Sequence, residues 1–235
     1  GGTKLDWTVT GTADFTTKIK AAFQGGIVML KAKMFQNSLN NVNAIITKEI
    51  KTFSVEVVGE VKIDSVYYVK QTATVKMREV NSKITSMLQR MDKFFKNGNM
   101  QMNGNPFVIY ESTDTQNKTI TFSVCGPLKE EIFVSDPSDV SIAKLEPFTA
   151  LKTILKGDNS HRTIAIKRAM DYISEKNLNQ NTALKHIDVY KVHASNEKSP
   201  SKWITEILIS IKTQNVTPPT KIISPKLRSE NAVIE

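Results

Sequence analysis

Apolar positions along the chain follow two rhythms, one with the period of a strand and one with the period of a helix, and the order in which they follow each other is repeated. Residues 5–15 (LDWTVTGTADF) alternate and carry Trp, Thr and Val, which predicts a strand. Beyond Gly25-Gly26, the residues Ile27, Leu30, Met34, Val42, Ile45 and Ile46 share one helical face that Phe35 and Leu39 widen, so a helix is expected over 27–50. From residue 52 the period returns to two through TFSVEVVGEV and VYYVKQTATVKM. Asn81 and Ser82 then stand as N-cap residues ahead of Ile84, Met87, Leu88, Met91 and Phe95 at helical spacing, and Gly98 closes that run. Two more strands, NPFVIYEST and KTITFSVCGPL, are joined by the polar turn Asp114 to Lys118.

The same order then recurs. VSIAKLEPFTALKTILKG reads as one strand, Asp158-Asn159-Ser160 caps a helix through Ala165, Ala169, Tyr172 and Ile173, and ALKHIDVYKV and KWITEILISI follow as strands around the turn SNEKSPS. Tyr110 and Tyr190 stand 80 residues apart, and Ile120-Thr121-Phe122 matches Ile204-Thr205-Glu206 at an offset of 84. These matches predict an internal duplication of a βαββ unit. The expected fold is α+β: two such units with pseudo-twofold symmetry form a concave antiparallel sheet with helices on one face, preceded by an N-terminal strand and long helix. The expected organisation is 1–51 for that N-terminal piece, 52–212 for the duplicated domain, and 213–235, with three prolines, for an extended or disordered tail.

Composition narrows the function. With 40% apolar and 23% charged residues the chain belongs with globular proteins, and its apolar runs of a few residues are far short of the roughly 20 that cross a bilayer. A net charge of +9 invites a nucleic-acid reading, but the lysines are spaced singly and most of the excess falls after residue 150, so a solvated basic surface is expected instead. The single Cys125 supports neither an internal disulfide framework nor, alone, a zinc site, and its place inside a strand predicts a buried small residue. His161, His186 and His193 lack the spacing of a helical metal site, and no nucleophile elbow, P-loop or dinucleotide fingerprint occurs. No cofactor or metal is therefore expected. The chain opens Gly1-Gly2-Thr3 without an initiator Met, which predicts a boundary inside a longer protein, cytoplasmic or anchored in the envelope through an earlier segment.

A duplicated βαββ chain with NPFVIY at 105–110, ITFSVCGPL at 120–128, Asp188-Val189-Tyr190 and Trp203-Ile204-Thr205-Glu206-Ile207 resembles the GyrI-like family, or AraC-type effector-binding domain, over residues 53–212. The resemblance implies a concave sheet around a small-molecule pocket, in a family whose bacterial members serve as transcription-regulator sensors, stand alone or are similar to hydrolases of cyclopropanoid compounds. The family's Glu before the second tyrosine is Asp188 here, and its Gly-Pro-Tyr is Gly157-Asp158-Asn159. Residues 1–51 resemble the C-terminal tail of a START-type, polyketide-cyclase-like (SRPBCC) domain.

Several residues are candidates for the pocket. Glu206 shares a strand face with Ile204 and Leu208, and an acid on an apolar face needs a partner or a cavity; the resemblance implies a pairing with cationic aromatic ligands, and the alternative is a salt bridge at a sheet edge. His186, Asp188 and Tyr190 fall on one face of their strand and form either a recognition strip or a solvated face. Tyr110, Phe122, Phe148 and Tyr68 are candidate cavity walls or ordinary core, and Trp203 opens the last strand, where it could cap a cavity mouth. The expected function is a small-molecule binding module without DNA-binding helices. The alternatives are a hydrolase of strained rings, with Glu206 as general base and Tyr190 on the leaving atom, and an interaction module in which the 27–50 helix docks a partner or a second copy.

Overall fold

A computed structural model of the chain describes residues 8, 11–23, 26–132, 140–182 and 186–212. Its strands are β1 (Ser54–Ile63), β2 (Val66–Lys76), β3 (Phe107–Asp114), β4 (Thr119–Leu128), β5 (Ser141–Leu145), β6 (Phe148–Lys156), β7 (Ile187–Val192) and β8 (Ile204–Ile211). The helices are α1 (Phe15–Phe23), α2 (Ile27–Lys51), α3 (Val80–Asn97) and α4 (Arg162–Glu175). All eight strands belong to one antiparallel sheet in the order β1-β6-β8-β7-β3-β4-β2-β5, and the α+β class expected from the sequence holds.

The order of the sheet fixes its shape. β1 and β2 are joined by only Asp64 and Ser65, yet they stand six places apart in the sheet. In a flat sheet six places are about 29 Å. Three Cα steps span at most about 11 Å. The same holds for β5 and β6 across Glu146 and Pro147. The sheet therefore curls until its outer strands meet over one of its own faces. Each half contributes its first strand to the other: β1 pairs with β6 of the second half and β5 with β2 of the first. The repeated unit is thus ββαββ with an exchanged first strand, one strand longer than the expected βαββ. The second half's extra strand arises because Pro147, which has no N–H to donate, interrupts the segment expected as a single strand.

Register corrects the internal alignment. Tyr110 pairs with Phe122, and Tyr190 pairs with Thr205. The counterpart of Phe122 is therefore Thr205, at an offset of 83 and not 84, and Glu206 corresponds to Ser123. A slip of one residue exchanges the two faces of a strand, so this correction decides which way Glu206 points. A bulge follows the tyrosine in both halves, between Tyr110 and Ser112 and between Tyr190 and Val192.

One face of the sheet carries α3 and α4. Met87, Leu88, Met91 and Phe95 of α3 pack on Val69, Val108, Phe122 and Val124, while Ala165, Ala169 and Ile173 of α4 pack on Leu151, Leu155, Ile207 and Ile209. Val108, Asp188 and Ile207 lie in register across three adjacent strands, which puts both helices on the same side. α3 begins at Val80 after a 3₁₀ turn at Met77–Glu79, so Asn81 and Ser82 lie inside its first turn and are not N-caps; Ser82 Oγ donates to the Glu79 carbonyl at 2.9 Å.

At the N-terminus, residues 5–7, 9 and 10 of the strand expected over 5–15 lie outside the described residues. Where described, residues 11–14 are irregular and Phe15 opens α1, because the Asp14 carboxylate accepts from Thr16 Oγ1 at 2.7 Å and from the Thr17 amide at 2.9 Å. α2 forms as expected. Its C-terminal end is tied to the second half: Glu49 accepts from the Ser201 amide at 3.2 Å, and His161 meets the Ile50 carbonyl at 2.8 Å and stacks on Phe53 at 3.7 Å. The expected tail, 213–235, lies outside the described residues. No helix among them is long and apolar enough to cross a membrane.

α3 lies against the backbone of β4 at Gly126, where a Cβ would sit 2.4 Å from the Phe95 ring and 3.1 Å from Met91 Sδ. Both side chains are buried, so neither can swing away. Gly126→Ala is expected to destabilise the fold by about 1–3 kcal/mol through overpacking, measured as a lower urea midpoint. An unchanged midpoint would show that α3 is free to lift.

Candidate functional site

The face opposite the helices is also apolar. Tyr68, Phe107, Ile109, Cys125, Ala150, Ile187 and Leu208 are buried there, ringed by Val61, Ile63, Val66, Leu145, Phe148 and Val189, and no helical residue takes part. These side chains are covered by the sheet's own curl, since Ile63, Val66, Leu145 and Phe148 flank the two crossing links. They border a hollow of about 150 Å³, open to solvent on one side and lined mainly by Ile63, Phe107, Ile187, Val189 and Leu208, with the exposed Asn103 and the half-buried Asn105 as its polar groups. An apolar cavity with few polar groups is the common form of a small-molecule site. Phe107 stands edge-on to Tyr68 with ring centroids 5.2 Å apart.

Beside this cavity the inner face carries charge. Glu206 pairs across the ladder with Val189, and Lys152 pairs with Leu208, so both stand one step from lining residues. Lys152 Nζ lies 2.7 Å from Glu206 Oε1, with the side chains 23% and 17% exposed. β8 is interior to the sheet, so this ion pair is not the edge salt bridge considered from the sequence. In the first half, Ser123 Oγ donates to Glu111 at 3.2 Å and meets Thr72 at 2.8 Å. Burial, reinforced by the Glu111 carboxylate, pushes the Tyr68 phenol up to about 12. The Cys125 thiol is pushed well up by burial, and the residue is fully enclosed. Among the described residues no group of three His, Cys, Asp or Glu side chains is placed to hold a metal.

The sheet divides the residues expected in the pocket. Glu206, Tyr68 and Phe148 are on the inner face; Tyr110, Phe122, Asp188 and Tyr190 are on the helix side. The expected strip of His186, Asp188 and Tyr190 is neither a pocket wall nor a solvated face. Asp188, fully buried, is held by Arg162 of α4 through Nε and through Nη2 at 3.1 Å, and the Arg162 guanidinium stacks on the Tyr110 ring at 3.8 Å. Burial and then the Asp188 charge push the phenols of Tyr110 and Tyr190 far above their ordinary value. Burial opposes the Arg162 charge, but Asp188 outweighs it and holds the guanidinium charged. Phe122 is fully buried core.

Trp203 donates to the Glu197 carbonyl at 2.8 Å and lines a separate cleft of about 160 Å³ with Asn81, Ser82, Asn159 and Tyr190, on the helix side. His186 lies just before β7, 3.1 Å from Gln180 Nε2. A roomier hollow of about 360 Å³ is formed by Lys76, Met77, Arg78, Asn117 and Lys118, all of them exposed, so its walls are a solvated basic surface and not a buried apolar face. Glu206 and Tyr190, the pair considered for hydrolysis, point to opposite sides of the sheet. Sequence reasoning missed Lys152, Phe107, Glu111 and Arg162. Alternation in FTALKTILK places Lys152 with Ala150, but nothing in that segment says which face is enclosed.

No family model matches the sequence, and neither does any curated protein. Among solved structures the chain is similar to the EcmrR–DNA complex in EcmrR-RPo, at 12% identity over 85% of this chain and 78% of that one, with a TM-score of 0.53. It is also similar to the EcmrR C-terminal domain, at 14% identity over 68% of this chain and 98% of that one, with a TM-score of 0.52. At these identities the likeness establishes the fold: the curled sheet with its two helices has the fold of the EcmrR C-terminal domain, consistent with the GyrI-like effector-binding fold expected from the sequence. The START-type resemblance of residues 1–51 has only the long helix to rest on.

The histidines give the fold a pH dependence. Burial pushes the imidazoles of His186 and His193 below their ordinary value, and for His186 the Arg162 charge adds to it. A depressed folded pKa means that the unfolded chain binds more protons below about pH 6.5, so stability is full above that value and falls as the pH drops toward the folded pKa. The urea midpoint is expected to decrease between pH 7.5 and 5.5, and less steeply in the double variant His186→Gln/His193→Gln. Equal slopes for the two proteins would assign the acid sensitivity elsewhere.

Proposed function

We propose that the chain is a small-molecule binding module whose site is the cavity under the curled sheet. One observation carries this reading: a buried apolar face that none of the described helices packs against borders a hollow, with two asparagine residues and a neighbouring ion pair as its polar features. A cavity near 150 Å³ suits a molecule the size of a single substituted ring. Turnover has less support, because the two groups considered for it do not face one ligand.

Binding is tested with toluene and indole by ligand-observed NMR and by thermal shift. Saturable binding is expected, with about 1.4 kcal/mol of stabilisation at ten times Kd. Val189→Trp, which fills the cavity, is expected to remove it. Equal binding by Val189→Trp, or no binding of either probe by the parent chain, would refute the site.

A second reading, self-association through α2, is supported by a separate feature. Leu39, Val42, Ile46 and Ile50 follow one another at spacings of 3, 4 and 4, a continuous apolar stripe on one face of the helix. Leu39, Val42 and Ile46 are 38%, 42% and 51% exposed, with Ile45 beside them at 63%. In an antiparallel pair Leu39 meets Val42 of the other copy, so the stripe is complementary to itself about a twofold axis. The helix, about 37 Å long, leads directly into the domain, and antiparallel pairing sends the two domains to opposite ends. Sedimentation velocity at 100 µM is expected to give a dimer, and Leu39→Lys/Val42→Lys a monomer of unchanged circular dichroism. A monomeric parent chain, or a dimeric variant, would overturn this reading.

A further inference from the structure

We infer that Lys152 is a resident counter-ion which turns the inner cavity from a site for cations into a site for neutral apolar molecules. This rests on the cavity being the binding site. An acid beside an apolar cavity attracts a positively charged aromatic guest only if its charge is available, and here Glu206 already has its cation. Lys152 Nζ lies 2.7 Å from Glu206 Oε1. It reaches the acid diagonally across β6 and β8, from the position opposite Leu208 to the position opposite Val189, and those two partners line the cavity.

A guest cation would compete on poor terms. Coulomb attraction falls with distance, and a quaternary ammonium, its charge behind a shell of methyl groups, cannot come as close to the carboxylate as the primary ammonium of lysine does. Lys152 is also tethered, so it acts at the high effective concentration of an intramolecular partner, and the guest does not. Displacing it would leave an ammonium with partial solvent access next to an apolar wall. Of the other acids on this side of the sheet, Glu56 is exposed on β1 opposite Ile154, and Glu111 lies in the first half and accepts from Ser123. Opposite Lys152 on β1 stands Gly59 at φ 119°, where a Cβ would meet nothing within 4 Å. The strand that flanks the ion pair thus leaves the space above it open, so the lysine can be removed without collapse of a packed neighbour.

The test uses two probes of one shape, phenyltrimethylammonium and its neutral isostere tert-butylbenzene, titrated by NMR at low salt. The parent chain is expected to bind tert-butylbenzene at least tenfold more tightly. Lys152→Met is expected to gain at least tenfold for the cation while its affinity for the neutral probe stays within threefold, and Lys152→Met/Glu206→Gln to lose that gain. Lys152→Gln, which removes the charge but can still hydrogen-bond to Glu206, serves the same purpose if the methionine variant does not fold. If tert-butylbenzene binds and neither lysine variant gains affinity for the cation, the counter-ion role is refuted and the cavity stands. If neither probe binds any of the proteins, the cavity reading and this inference fall together.

Discussion

The structure depends on two chain links that are too short for a flat sheet. Asp64-Ser65 and Glu146-Pro147 must each join strands six places apart, and the sheet can satisfy them only by curling until its ends meet. Everything particular to the fold follows from that constraint. The first strand of each half is exchanged into the other, which couples the two halves more strongly than a shared seam between β7 and β3 would. The inner face is buried without any of the described helices, and an apolar hollow remains beside the crossing links.

The two faces of the sheet solve the burial of polar groups differently. On the helix side, Asp188 sits in the core and is satisfied by the two-pronged grip of Arg162, whose guanidinium also covers the ring of Tyr110. That cluster links β7, β3 and α4, and removing either charged partner would strand the other in a region with little water. On the inner face the charges lie at the rim of the apolar cluster, where Lys152 and Glu206 keep partial contact with solvent. The first arrangement holds the two halves together. The second stands beside the apolar hollow and keeps solvent contact, so it contributes less to the fold.

The pseudo-twofold relation is therefore structural more than chemical. Both halves carry a tyrosine followed by a bulge and both pack a helix on the same side, but the half-buried acid of the inner face comes from different places. In the second half it is Glu206 on the fourth strand of the repeat; in the first half it is Glu111, the bulged residue of the third.

Much of this architecture was legible in the amino-acid order. Period-two runs, the helical spacing of Ile84 through Phe95 and the recurrence of a tyrosine after 80 residues determined the element types, the duplication and the α+β class, because those signals are local and survive without knowledge of any contact. The N-terminal end was less legible, since Asp14 caps a helix in a stretch whose Thr-rich alternation favours a strand. The site was the least legible part. Alternation states that Asp188 and Tyr190 share a face and that Glu206 shares one with Leu208, but a strand buried on both sides gives no sign of which face meets a helix and which meets a cavity. That choice is made by register, and register is set by partners far away in the chain. Tertiary structure alone decided that Tyr190 is core, that Glu206 looks inward, and that the lysine sharing the acid's charge stands 54 residues before it.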